Sequence, residues 1–234
     1  VVTEAFQDEE PENNGGSADA GTDSKKSSNT MALFDKALVA AGKLVDSRVE
    51  RLRRRHPEDT NEQLLKRLET TFMSSVTATG AATGGAAAVP GAGTAAALAM
   101  TGGDFSWFMT AAAAHVLSAV RVYGFDIADL EHQKAIVLTV LAGGSGSTIF
   151  GKAAGRTGSH LGKLLANSVP TNTIRSVNRV LGHNFVTRYG TRQGVLVLGR
   201  AAPFGIGVVI GAGGNLLMAQ SVIKATRLAV RPAA

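Results

Sequence analysis

Cysteine is absent from all 234 residues. Its absence excludes disulfides, thiolate zinc sites and cysteine nucleophiles, and it is compatible with a reducing compartment. Aromatic residues are scarce at 5%, so the stacking platforms expected of a nucleic-acid binder are few. Acids disappear from the second half: no Asp or Glu follows Glu131, whereas twelve Lys or Arg do. No charged residue lies between Glu69 and Asp104, and none lies between Arg200 and Lys224.

Glycine and alanine fill the space. The 28 glycines are about 12% of the chain, against an average of roughly 7%. They sit inside apolar runs, so this is not a linker composition. From Val76 to Met100 nearly every side chain is tiny. Small residues let helix backbones approach closely, which favours helix packing where the hydrophobic drive is weak, as in lipid. Gly80 and Gly84 make one small-xxx-small pair, and Gly207 and Gly211 make another. Pro90-Gly91, with Gly93 just after, marks a tight turn between two short helices at roughly 70–88 and 93–101. Each arm is shorter than the ~20 residues that span a ~30 Å hydrocarbon layer. The later run from Ala201 to Ile223 is long enough to span as one helix, but Pro203 and five glycines near its start and middle interrupt it. Asn215 is a polar intruder in it, placed to hydrogen-bond across a helix pair.

Residues 1–30 carry seven acids and two lysines with few apolar positions, which predicts a disordered acidic tail. They lack the basic start and apolar core of a signal peptide. Residues 31–234 then read as one helical domain. Leu33, Phe34, Ala37, Leu38, Ala41, Leu44, Val45 and Leu52 recur at helical spacing and predict a helix from Met31 to Arg55. Pro57 ends it, and Glu58-Asp59-Thr60-Asn61-Glu62 opens the next, striped with Leu64, Leu65, Leu68 and Phe72. Thr101-Gly102-Gly103-Asp104 is read as a break, with Asp104 capping a helix from Phe105 to Tyr123 and Gly124 stopping it. Asp126 and Asp129 are cap candidates for Leu130 to Ala142. Thr171 to Tyr189 is amphipathic. The sum is an all-α bundle of about seven or eight helices with two Ala/Gly-rich, closely packed hairpins.

The basic residues form the other pattern. The tail is acidic and the body strongly basic within a net charge of +6. Arg51, Arg53, Arg54 and Arg55 crowd the end of the first helix, and Lys224, Arg227 and Arg231 close the chain. An anionic lipid surface fits this distribution at roughly 1 kcal/mol per basic residue near the membrane. Helix-dipole capping and plain solvation of helix faces are the bland alternatives. Nucleic acid is disfavoured.

Chemistry-bearing motifs fail on inspection. Gly146 to Lys152 matches most of a phosphate-binding loop, but Ala153 stands where a hydroxyl must hold magnesium, and no downstream acid exists. Gly91 to Ala96 echoes a dinucleotide loop but follows an Ala-rich helix instead of a strand. His56, His115, His132, His160 and His183 lack metal-ligand spacing, and His115 reads as a satisfied core or interfacial histidine. No catalytic, cofactor or metal residue is expected.

Three segments resemble a known family in their order and spacing. They are Ala88-Val-Pro-Gly-Ala-Gly-Thr94 followed by Gly-Gly-Asp104; Val122-Tyr-Gly-Phe-Asp126-Ile-Ala-Asp129; and Pro203-Phe-Gly-Ile-Gly-Val-Val-Ile-Gly211 with Asn215 and a basic end. Over roughly residues 60–230 the chain resembles the EcsC family of bacterial proteins, and its Ala content resembles actinobacterial versions. The resemblance implies an all-helical protein with membrane-prone hairpins and, from the family's naming, a link to an ABC transporter. The expectation is a non-enzymatic accessory protein at the cytoplasmic side of the cell membrane, peripheral or embedded. Its partners would be anionic lipid, a membrane protein or a second copy. The alternative is a soluble helical bundle that acts as a protein-interaction module.

Overall fold

The computed structural model describes residues 17–87, 93–127, 129–142, 170–183, 185 and 206–230. Among them, all regular structure is helical: α1 (Ser17–Arg55), α2 (Asn61–Ala87), α3 (Gly93–Val122), α4 (Leu130–Ala142), α5 (171–183) and α6 (Ile206–Val230). The all-α class is therefore shown, with six helices among the described residues.

α3 is the central element. Between Phe108 and Val122 buried residues fall on every side of it. A helix that is apolar all round belongs in the interior. α1 and α2 both pack along α3, and α6 packs along α2; α4 touches α3, α6 and α1. α1 and α2 have few direct contacts with each other, which leaves a groove between them. The buried stripes repeat every three or four residues: Phe34, Leu38, Ala41, Val45 and Val49 on α1, and Leu64, Leu68, Phe72 and Val76 on α2. Phe72 sits at the junction, its ring 6.1 Å from Phe108 and stacked 4.9 Å from His115. Phe34 meets Phe185 at 5.5 Å and brings the segment following α5 against α1. Each fully buried Phe contributes about 1.5–3 kcal/mol.

Local chemistry sets the ends. Thr60 and Gln63 form a reciprocal capping box: the Gln63 backbone N–H donates to Thr60 Oγ1 at 3.3 Å, and the Thr60 N–H donates to Gln63 Oε1 at 2.7 Å. At the same end of the hairpin, α3 closes in a Schellman motif. The Phe125 N–H donates to the Val120 carbonyl and the Gly124 N–H to the Arg121 carbonyl, at 3.2 and 3.0 Å. Gly124 takes the left-handed turn this requires, with φ at 85°. Asp129 caps α4 by accepting from the His132 N–H at 3.3 Å. Asp126 is not a cap; it pairs with Arg121 at 3.1 Å, and Arg121 also reaches Asp46.

Two expectations are corrected. α3 runs unbroken through Thr101-Gly102-Gly103-Asp104, so Asp104 lies well inside a helix instead of capping one, and the first hairpin has two long arms. Two internal glycines cost about 1 kcal/mol each relative to alanine. No proline interrupts the segment, and an established helix extends without a new nucleus. For the same reason α1 begins at Ser17, upstream of Met31, within the stretch read as tail. The expected turn at Pro90-Gly91 and the segments 143–169 and 186–205, which include the phosphate-loop look-alike, lie outside the described residues. No helix among the described residues is long and apolar enough to cross a membrane.

Candidate functional site

A highly charged groove with a volume of about 710 Å³ lies between α1 and α2. Its construction follows from two helical stripes. Arg48, Arg51, Leu52 and Arg55 project from the last turns of α1, and Gln63, Lys66, Arg67 and Thr70 from the first turns of α2. Both sets are spaced i, i+3, i+4, i+7, so each forms one wall. Because both helices rest on α3 and not on each other, the walls stand apart. His56 and Asp59, from the short connection, close the end.

Five cationic side chains line the groove, against one described carboxylate. That carboxylate, Asp59, is already bonded to Arg67 at 2.6 Å. Among the described residues, Arg48, Arg51, Arg55 and Lys66 have no carboxylate within ion-pair distance. Arg48 is half-buried, and loss of water holds its guanidinium below the ordinary arginine range. Thr70 and Thr71 line the rim, each hydroxyl donating to the carbonyl one turn back. The arrangement can hold anions. It has no paired acid and base or activated nucleophile, and no cluster of three metal-ligating side chains occurs among the described residues.

His115 lies beneath this groove. It is fully buried, as expected of a core histidine, but among the described residues neither ring nitrogen has a hydrogen-bond partner at ordinary distance. Burial, followed by the charge of Arg48, pushes its pKa down to about 3, against a smaller pull from the Leu68 carbonyl that faces the ring.

The other expected surface residues divide. Arg53 donates to the Val122 carbonyl at 2.7 Å and so ties the end of α1 to the end of α3, consistent with a cation at a negative helix terminus. Arg54 pairs loosely with Glu50 at 3.8 Å, both exposed. Lys224 is exposed on α6. Arg227 is not a free surface cation. It forks onto Glu69 through Nε and Nη2 at 2.6 and 2.7 Å and reaches Glu62 at 2.8 Å. The bond to Glu69 holds the guanidinium above its ordinary range. Glu62 also accepts from the Tyr123 hydroxyl at 3.2 Å, which links α2, α6 and the end of α3. Arg231 lies outside the described residues.

Of the helix-packing set, Gly80 is buried on α2. Asn215, 1% exposed, reaches from α6 to donate to the Val76 carbonyl at 3.0 Å. Gly84, Gly93, Gly207 and Gly211 fall within α2, α3 and α6. Pro90 and Gly91 lie outside the described residues. The capping box was legible as Thr-x-x-Gln, a signal the acid-rich opening of α2 masked. The groove had no such signal, because it depends on which helices touch.

The chain matches no family model, no curated protein and no solved structure.

Proposed function

We propose that this protein is a non-enzymatic accessory protein that docks on the anionic cytoplasmic face of a cell membrane. The observation that carries the proposal is one face of α1. Leu33 and Leu44 are 44% and 54% exposed there, and the same face continues through Arg51 into the basic groove. At 100° per residue, positions 33, 44, 51 and 55 fall within roughly 40° of one another on the helix. Two exposed leucines beside arginines that have no carboxylate partner among the described residues suit the boundary between acyl chains and headgroups. Ion pairing of Arg227 shifts the burden of surface binding from the end of the chain to this elbow.

The Ala/Gly-rich helices serve close packing within the protein, as at Gly80 and the Asn215 crossing of α2 and α6, and can extend it to a membrane partner's helices. The EcsC resemblance is part of the proposal and names the class of that partner, a transporter. Co-flotation tests the reading. Binding to vesicles containing anionic lipid, weakened by salt, is the expected result. Equal recovery with neutral and anionic vesicles, or recovery wholly in the soluble fraction at low salt, would overturn it in favour of a soluble interaction module.

A further inference from the structure

The spacing of the groove's charges carries more than a general preference for anions. Arg48 and Arg55 are seven residues apart on one wall, roughly 10 Å along the helix axis at ~1.5 Å per residue. Arg51 lies between them, and Lys66 and Arg67 face them from α2. One phosphate group is too small to meet all of these. A guanidinium binds phosphate through two parallel N–H bonds, and three guanidiniums on one wall suit several phosphate oxygens in a row. The volume of about 710 Å³ is in the range of small-molecule sites and far exceeds a single inorganic anion.

We propose that the groove between α1 and α2 binds a ligand carrying two or more phosphate groups, presented by a lipid headgroup or by a soluble polyphosphate. The inference rests on reading this end of the molecule as an anion-binding surface, and it adds ligand chemistry that a diffuse basic patch does not have. Such a patch responds to total charge. The groove responds to the number and spacing of phosphates.

Titration calorimetry at low salt with tripolyphosphate and with orthophosphate makes the first test. Tripolyphosphate should bind at least roughly tenfold more tightly. Arg51→Gln with Arg55→Gln should weaken it by a similar factor, because both side chains are exposed and their removal leaves the core intact. Lys36→Gln with Lys43→Gln removes two exposed cations from α1 outside the groove and should change affinity less than about twofold. Far-UV circular dichroism verifies that all variants stay helical. A parallel flotation series compares a lipid carrying two phosphates with a one-phosphate lipid at matched charge. A preference for the former, lost with Arg51→Gln and Arg55→Gln, identifies the lipid source. Tripolyphosphate binding without that preference identifies a soluble ligand. Equal affinity for orthophosphate and tripolyphosphate, or equal losses in the two double variants, overturns the groove as a phosphate site. Vesicle binding that survives such a result leaves the membrane reading standing, whereas vesicle binding that fails while tripolyphosphate still binds removes only the membrane reading.

Discussion

Acidification should destabilise this protein through one side chain. His115 is fully buried, stacked on Phe72 and confined to its neutral form, with its pKa pushed down to about 3 from an ordinary 6.5. The unfolded chain takes up the proton near pH 6.5, and the folded chain does not until about pH 3. Between those limits the unfolded state holds more protons, so stability falls as pH falls. One pKa unit corresponds to about 1.4 kcal/mol, so the loss from this group is about 2 kcal/mol at pH 5 and approaches about 5 kcal/mol near pH 3. Chemical denaturation at pH 7.5, 6, 5 and 4 measures it. His115→Leu removes the titration and two buried ring nitrogens that lack hydrogen-bond partners among the described residues. At pH 7.5 that variant should be as stable as the parent or more so, since an unsatisfied buried polar group costs about 1–3 kcal/mol. At pH 5 it should exceed the parent by about 2 kcal/mol more than at pH 7.5. Parallel pH profiles for parent and variant would refute the assignment of His115 as a buried neutral imidazole.

Three further substitutions probe the frame. Glu69→Gln leaves Arg227 without its main carboxylate at a site where Glu69 is 7% exposed; because Arg227 is itself partly solvated, a loss of about 1–3 kcal/mol is expected in urea denaturation. Thr60→Ala opens the capping box and should cost about 1 kcal/mol by the same measurement. Gly124→Ala forces a Cβ into the left-handed turn at φ 85°, although none of the described residues crowds that position, so the expected loss of about 1 kcal/mol in thermal unfolding is conformational.

Local signals in the sequence were dependable where one residue decides the outcome. Gly124 ends α3, Asp129 opens α4, and α4 runs from Leu130 to Ala142 as its apolar periodicity indicates. They misled where cooperative propagation outweighs residue preference, as at Gly102-Gly103, which resemble a break yet lie inside α3. Contacts distant in sequence were illegible. Arg227 and Glu69 are 158 residues apart, and Asn215 and Val76 are 139 apart; neither pairing follows from composition or spacing. The groove illustrates the same limit. Its arginines were visible as a cluster at the end of a helix, but Lys66 and Arg67 face them only because α1 and α2 each lie on α3. The depressed pKa of His115 likewise depends on what surrounds it and not on its own flanking residues.

The absence of cysteine allows a direct test of whether this side of α1 docks on a membrane, as proposed. A single cysteine at Leu44 can carry an environment-sensitive fluorophore, and one at Val180 on α5, also exposed, can serve as the comparison. On adding vesicles containing anionic lipid, the label at position 44 should shift to the blue while the label at 180 stays unchanged, and high salt should reverse the shift. No shift at 44, or equal shifts at both positions, would contradict docking through the face that joins Leu33 and Leu44 to the arginine groove.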